Sequence, residues 1–128
     1  MKIILTIPKL YRNGALTSLT GLDNLESIGG NIDIFGNDAL IDLEGLGNLT
    51  SVDGGLDISE NTSLTVLNLD KLCSVNTMFR IDNNYELCNS LALDLINQIG
   101  TCPGGGFGFD DTDSENVVVD GNKDCLAP

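Results

Sequence analysis

Apolar residues recur along most of this 128-residue chain with a period of about 24 positions. Residues 16–39 laid over residues 40–63 align leucine with leucine, and a third, slightly shorter copy follows. Each copy contains two apolar residues separated by one residue of any kind, which is the alternation of a half-buried strand. The same triplet occurs at Ile32–Ile34, Leu56–Ile58, Phe79–Ile81 and Val117–Val119. Because one copy cannot bury its own apolar side, the pattern predicts coils stacked into a solenoid with parallel strands.

The remaining leucines of each copy are three residues apart. This spacing fits neither a strand nor a convincing helix, because Gly21 and several asparagines interrupt it. We expect these segments to wind around the core and to turn one leucine inward at each corner. One asparagine per copy falls at the same repeat position, which predicts a ladder whose amides satisfy backbone groups left unpaired at a turn. Its members are Asn13, Asn37, Asn61, Asn84 and Asn122.

The period breaks after Leu87. Asn89-Ser90 offers an N-cap, and an apolar helical face follows until Gly100 ends the helix. We expect this helix to cover the last apolar layer, with residues 103–106 as a flexible link and residues 117–120 as a closing strand. The residues of the predicted apolar face are Leu91, Leu95, Ile96 and Ile99.

The segment LTSLTGLDNLESIGGNIDIFGNDALIDLEGLGNLTSVDGGLDISENTSL resembles the receptor L-domain family and its secreted bacterial members of leucine-rich character. The likeness covers residues 10–88, and residues 87–125 are similar to the closing cap of bacterial members. The resemblance implies a right-handed β-solenoid and a non-enzymatic binding or adhesion role, with no catalytic residues to transfer.

The expected fold is therefore mainly β: a right-handed parallel β-solenoid of about four leucine-rich coils of 23–24 residues, with a C-terminal amphipathic helix cap and a closing strand. Residues 1–128 form one domain. Residues 1–15 make a partial N-terminal coil, residues 16–87 make three repeats, and residues 88–128 make a disulfide-bonded cap.

The four cysteines favour two disulfides, because the chain contains no histidine and no Cys-x-x-Cys pair for a zinc site. Four cysteines allow three pairings. In the repeat register Cys125 takes the position of Leu87 one rung earlier, so Cys88 lies beside its neighbour on the adjacent strand. We therefore favour Cys88–Cys125, and Cys73–Cys102 would then pin the helix over the core. Disulfides imply a secreted or cell-surface location.

A formal net charge of −13 excludes duplex nucleic acid and anionic membrane surfaces as partners. The apolar run before Pro8 is too short for a signal core or a membrane span, so no membrane insertion is expected. We expect either that a secretion signal has been removed or that the chain derives from something longer. An apolar N-terminal edge predicts pairing with a second copy or with neighbouring repeats. Its residues are Ile3, Ile4, Leu5 and Ile7.

The outward positions of the strands are candidate ligand-binding residues. Register predicts two neighbouring columns of outward side chains. The first, which should face solvent, is Asp33, Asp57, Arg80 and Val118, and the second is Phe35, Ser59, Asp82 and Asp120. Phe35 is expected to be the one large aromatic residue in an outward slot. A patch around Phe35 suits a sugar or a protein ligand. The paired carboxylates of neighbouring rungs also suggest, more distantly, a polysaccharide-acting enzyme. The candidate ligand-binding residues are Asn31, Asp33, Phe35, Asp57 and Arg80.

An acidic loop before the closing strand is a candidate calcium site, because Ca²⁺ takes six to eight oxygen ligands. The loop lacks the residue order of an EF-hand, and no other cofactor is expected. Its carboxylates are Asp110, Asp111, Asp113 and Glu115.

The sequence thus predicts a non-catalytic secreted or cell-surface binding or adhesion module with a protein or glycan ligand. The alternative is a structural spacer or a fragment of a larger surface solenoid.

Overall fold

A computed structural model describes residues 2–4, 9–109 and 115–125 of the chain. These residues form ten short strands, one 3-10 helix at Glu44–Leu46 and one α-helix, α1, at Asn89–Gly100. The strands are β1 (Lys2–Ile4), β2 (Lys9–Tyr11), β3 (Leu25–Ile28), β4 (Ile32–Phe35), β5 (Ser51–Val52), β6 (Leu56–Ser59), β7 (Ser74–Val75), β8 (Phe79–Asp82), β9 (Gly106–Phe107) and β10 (Val117–Asp120).

The strands build two parallel sheets. The first sheet has the order β1-β3-β5-β7-β9, and the second sheet has the order β10-β8-β6-β4-β2. Each strand pairs with the strand one coil away, so that Ile32 is opposite Leu56 and Leu56 is opposite Phe79. This register is the one that the repeat alignment gives. The described residues therefore form a mainly β, parallel β-solenoid with one helix, as predicted in outline, and its turns number about three where about four coils were expected.

The inward residues of every coil form one continuous apolar core. The leucine turns contribute side chains that are at most 1 % exposed, such as Leu40, Leu43 and Leu46. Neighbouring coils approach so closely here that a Cβ on Gly45 would lie 2.0 Å from the carbonyl oxygen of Leu19. A glycine is therefore required by packing at position 45, in the leucine turn of the second copy.

The predicted asparagine ladder is present and runs through the whole described solenoid. Asn61 donates from its side-chain amide to the Ile34 carbonyl at 2.9 Å, and its Oδ1 accepts the backbone N–H of Asn37 at 3.0 Å. Its own N–H donates to Oδ1 of Asn84 at 3.0 Å, and Asn84 repeats the arrangement with Asn122. Since Asn61 is fully buried, each of these bonds satisfies a group that water cannot reach.

The beginning of α1 differs from the prediction. Cys88 is the N-cap and makes no side-chain capping bond, so the expected N-cap at Asn89-Ser90 is wrong. Asn89 instead uses its Oδ1 to accept the side-chain amide of Asn122 at 3.2 Å. The ladder therefore ends on the first residue of the helix.

The helix lies against the leucine turn of the third copy. It buries Ala92, Leu95 and Ile99. Gln98 donates from Nε2 to the carbonyl oxygens of Leu69 and Leu72 at 2.9 and 2.8 Å. These bonds satisfy two carbonyl groups of the third leucine turn, on which the helix packs in place of a further leucine turn.

The flexible link expected at residues 103–106 is wrong at its last residue, because Gly106 begins β9. Its N–H donates to the Cys73 carbonyl at 2.7 Å, which adds β9 to the first sheet beside β7. Phe107 packs edge-on against Phe79 with ring centroids 6.0 Å apart, and Phe109 lies 5.1 Å from Phe107. Aromatic packing therefore closes the core at this end.

Two disulfides hold the cap, with the pairing that the repeat register favours. Cys73–Cys102 joins the start of β7 to the end of α1, with Cα atoms 5.5 Å apart. Cys88–Cys125 joins the start of α1 to the segment after β10, with Cα atoms 5.3 Å apart.

At the opposite end, β1 and β2 are the outermost strands of the two sheets. Ile3 and Ile4 lie in β1, and Leu5 and Ile7 lie outside the described residues. Pairing of this edge with another chain stays a prediction.

Candidate functional site

The outward side chains of the second sheet form two columns, which we call the outer face. Strand pairing aligns the first column rung by rung, as predicted, and aligns a second column beside it. The first column is Asp33, Asp57, Arg80 and Val118, and the second is Tyr11, Phe35, Ser59, Asp82 and Asp120. Both columns alternate with the buried apolar residues of the same strands because successive side chains of a strand point to opposite faces.

The N-terminal end of the outer face is aromatic. Tyr11 lies opposite Phe35 in the strand register, and their ring centroids are 5.7 Å apart. The guanidinium of Arg12 lies 5.2 Å from the centroid of Phe35. The expectation that Phe35 is the one large aromatic residue in an outward slot is therefore wrong. The signal was present in the sequence, because Tyr11 precedes Asn13 by two residues as Phe35 precedes Asn37.

The other end of the outer face carries an ion pair. Arg80 donates from Nε and Nη2 to the same oxygen of Asp82, Oδ2, at 3.1 and 2.9 Å. These bonds raise the pKa of Arg80, which therefore stays charged. The Asp82 side chain is only 6 % exposed, although its outward position predicts exposure. Its second oxygen, Oδ1, is buried and has no hydrogen-bond partner among the described residues.

Two further carboxylates lie between the aromatic and the charged ends. Asp57 accepts the hydroxyl of Ser59, and Asp33 accepts the hydroxyl of Tyr11 at 3.4 Å. Burial raises the pKa of Asp57, and the carboxylates of Asp33 and Asp82 raise it further against the lowering effects of Ser59 and Arg80. The Asp33 carboxylate also contributes, after desolvation, to a raised pKa of Tyr11. In the middle of the face, these two carboxylates therefore have uncharged hydroxyls as their hydrogen-bond donors.

An open concavity of about 310 Å³ connects these groups. The structure thus brings together three of the predicted ligand-binding residues, Phe35, Asp57 and Arg80. The other residues around the concavity were not among the predicted ligand-binding residues. The lining residues are Tyr11, Phe35, Asp57, Ser59, Glu60, Arg80, Asp82 and Asn83.

Asn31 lies apart from this concavity. It directly precedes β4, and its Oδ1 accepts the backbone N–H of Gly55 at 2.7 Å. Gly55 directly precedes β6, so Asn31 joins two neighbouring coils at the turn between the sheets. Its amide oxygen therefore serves the fold.

The acidic loop lies mostly outside the described residues. Asp110, Asp111 and Asp113 lie outside the described residues, and Glu115 is exposed. Elsewhere, in residues 2–4, 9–109 and 115–125, no group of three or more histidine, cysteine, aspartate or glutamate residues is arranged to hold a metal ion. The calcium site at this loop stays a prediction.

Two parallel sheets joined by leucine turns, with a mixed aromatic and charged outer face, define a leucine-rich β-solenoid. The family model described as the receptor L domain matches residues 4–96, and the chain belongs to this family. The family consists of non-enzymatic binding domains. No curated protein and no solved structure matches the chain. In the part of the chain that the structure describes, no helix is long and apolar enough to cross a membrane.

Proposed function

We propose that this protein is a non-catalytic, secreted or cell-surface module that binds a protein ligand through the outer face. Membership of the receptor L-domain family supports a ligand-binding role, and domains of this family bind protein ligands. Two disulfides support an oxidising, extracellular setting.

The concavity on the outer face is the observation that carries this proposal. It combines an aromatic pair, the exposed Tyr11 and the partly buried Phe35, with the Arg80–Asp82 ion pair and a buried carboxylate oxygen that lacks a donor among the described residues. Aromatic residues and arginine are the side chains that dominate the energetics of protein interfaces. A spacer that only separates other domains requires none of these groups on its surface.

The arrangement of the carboxylates also supports binding over polysaccharide cleavage. Asp33 and Asp57 stand side by side on adjacent rungs of an open face. Each accepts a hydrogen bond from a neighbouring hydroxyl, that of Tyr11 or that of Ser59. A glycosidase instead holds its two carboxyl groups on either side of the scissile bond.

A panel of displayed extracellular proteins, together with a glycan array, tests the proposal when probed with three forms of the full chain. These are the wild type, a Tyr11→Ser/Phe35→Ser variant and a matched control, Ile41→Ser/Val66→Ser. The control removes two exposed apolar side chains, 52 % and 41 % exposed, from the leucine turns. We expect a protein ligand whose affinity falls about tenfold or more in the first variant and is retained in the control.

Equal losses in both variants would place binding elsewhere on the solenoid. Binding confined to the glycan array, or no binder at all for a folded wild type, would also contradict the proposal.

A further inference from the structure

We infer that the outer face accepts a basic side chain of its protein partner, a lysine ammonium or an arginine guanidinium, between the aromatic pair and the carboxylates of Asp57 and Asp82. The inference rests on the proposed function and specifies the chemistry of the ligand group at that site.

The buried carboxylate oxygen of Asp82 is the first argument. Arg80 directs both of its bonded nitrogens to Oδ2 of Asp82, a residue that lines the concavity, and Oδ1 is buried and has no donor among the described residues. A buried acceptor without a partner destabilises the state that contains it. A ligand donor that Asp82 meets by rotating its side chain toward the concavity therefore relieves a defect that the free protein retains.

The balance of charge is the second argument, because it distinguishes a cationic donor from a neutral hydroxyl. The carboxylates at the site outnumber the two guanidiniums, Arg12 and Arg80, and one of these lies over Phe35. Burial is the main cause of the raised pKa of Asp57, and the carboxylates of Asp33 and Asp82 add to it against the opposing effects of Ser59 and Arg80. The carboxylates are Asp33, Asp57, Glu60 and Asp82. A cation removes this imbalance, whereas a sugar hydroxyl does not.

The aromatic pair is the third argument. An ammonium or guanidinium within about 6 Å of a ring is attracted by its electron-rich face, and the aliphatic stem of the same side chain packs against apolar surface. Tyr11 remains 48 % exposed and adjoins Phe35 at the rim of the concavity. The net charge of −13 also attracts cationic partners over long range.

The probe is a blocked pentapeptide with one central lysine, titrated into the ¹⁵N-labelled full chain at constant ionic strength. An arginine version, a version with the lysine acetylated and neutral maltotetraose are titrated in parallel. We expect the two cationic peptides to shift the backbone amide signals of residues 11, 35, 57–60 and 80–83. The acetylated peptide should bind at least about fivefold more weakly, since it loses its charge.

Three variants then locate the cation. Asp57→Asn and Asp82→Asn should each weaken binding of the lysine peptide by about fivefold. Asp53→Asn is the matched control, because it makes the same change of charge at an exposed residue after β5 and should change the affinity less than about twofold. Asp57→Asn keeps the Arg80–Asp82 pair, so it remains informative if Asp82→Asn perturbs the fold.

Equal binding of the acetylated peptide, equal weakening by Asp53→Asn, or absence of shifts with both cationic peptides would overturn the inference. The proposed function has its own readout, the loss of a protein ligand in Tyr11→Ser/Phe35→Ser. If that loss occurs while the cationic peptides fail, the binding face stands and only its preference for a basic side chain is rejected.

Discussion

The two sheets of the solenoid face solvent with very different side chains. On the first sheet, Ser27, Ser51 and Ser74 follow one another on adjacent rungs and Gly106 continues the row. On the outer face of the second sheet, an aspartate pair is followed by Arg80, and an aromatic pair is followed by Ser59 and Asp82. Both sheets bury the same kind of aliphatic residue on their inner side.

This difference separates the demands of the fold from those of the surface. Stacking coils requires the same inward residue on every rung, because each layer must fill the same space as the one before. The outward positions carry no such requirement, and small serines are sufficient on the first sheet. Four kinds of chemistry concentrated on the second sheet (aromatic, basic, acidic and hydroxyl) therefore support the proposal that this sheet carries the binding surface.

The largest effect should come from breaking the frame that both sheets share. Asn61→Ala removes a buried amide and leaves the Ile34 carbonyl and the Asn37 N–H without partners. We expect the free energy of unfolding to fall by about 3–4 kcal/mol. Asn24→Ala is the control, at an exposed asparagine of a leucine turn, and should change stability by less than about 0.5 kcal/mol. Urea unfolding measures the free energy of unfolding of both variants. A loss in Asn61→Ala as small as the loss in Asn24→Ala would show that the ladder is dispensable.

The two disulfides should protect different sheets. Replacing either pair by serines should lower stability by about 2–4 kcal/mol. In Cys73→Ser/Cys102→Ser, hydrogen exchange should increase first at the Gly106 amide of β9, which donates to the Cys73 carbonyl. In Cys88→Ser/Cys125→Ser, it should increase first at the Lys123 amide, which follows β10 and donates to the Leu87 carbonyl.

The same exchange pattern in both variants would mean that the cap unfolds as one unit. The two disulfides would then not protect the ends of the two sheets separately.

A smaller effect should follow from removing the charge pair of the outer face. Arg80→Ala leaves a buried carboxylate unpaired, which we expect to cost about 1–2 kcal/mol, since Arg80 itself is 45 % exposed. Adding Asp82→Asn should recover part of this loss. The matched control is Lys123→Ala, whose pair with Glu86 is 3.8 Å long and exposed on both sides. It should change stability by less than about 0.5 kcal/mol.

Thermal unfolding of the single and double variants gives the coupling energy between Arg80 and Asp82. A coupling near zero would contradict the view that the outer face holds a buried charge.

The smallest effect concerns pH. Because the folded state raises the pKa of Asp57, the ionised carboxylate destabilises the fold at neutral pH, and this penalty is relieved as pH falls through the raised pKa. Asp57→Asn should therefore raise Tm slightly at pH 7, and the difference from wild type should shrink toward acid pH. Asp53→Asn should show no such trend. A lower Tm for Asp57→Asn across the pH range would contradict the assignment.

Sequence periodicity predicts the core, the strand register and the asparagine ladder well, because each depends on the same residue recurring on every coil. Periodicity fails to predict features that occur at only one place in the chain. Gly106–Phe107 has too few residues to show alternation, so β9 could not be recognised. Asn89 favours an N-cap in isolation, but the end of the ladder requires an acceptor, and this tertiary bond takes its side chain.

The candidate site was predictable only in part. Alternation places Asp82 outward and therefore predicts exposure. It is nevertheless buried, as Ser59 is on the preceding rung, and Arg80, two residues earlier on the same strand, bonds its carboxylate; no periodic pattern can indicate either feature. Tyr11 was identifiable from its distance to Asn13, but the incomplete first copy obscured its rung.

The direction of the asparagine ladder has a consequence for synthesis of the chain on the ribosome. The backbone N–H of each ladder asparagine depends on an acceptor one coil further along, 24 residues later for Asn37 but 38 residues later for Asn84. At about 5–20 residues per second, the third coil waits about 2–8 s for Asn122 to emerge. The early coils can assemble in sequence behind the growing end. The third coil remains incomplete until Asn122 has been translated, so its ladder bond forms later relative to its own synthesis than the ladder bonds of the earlier coils.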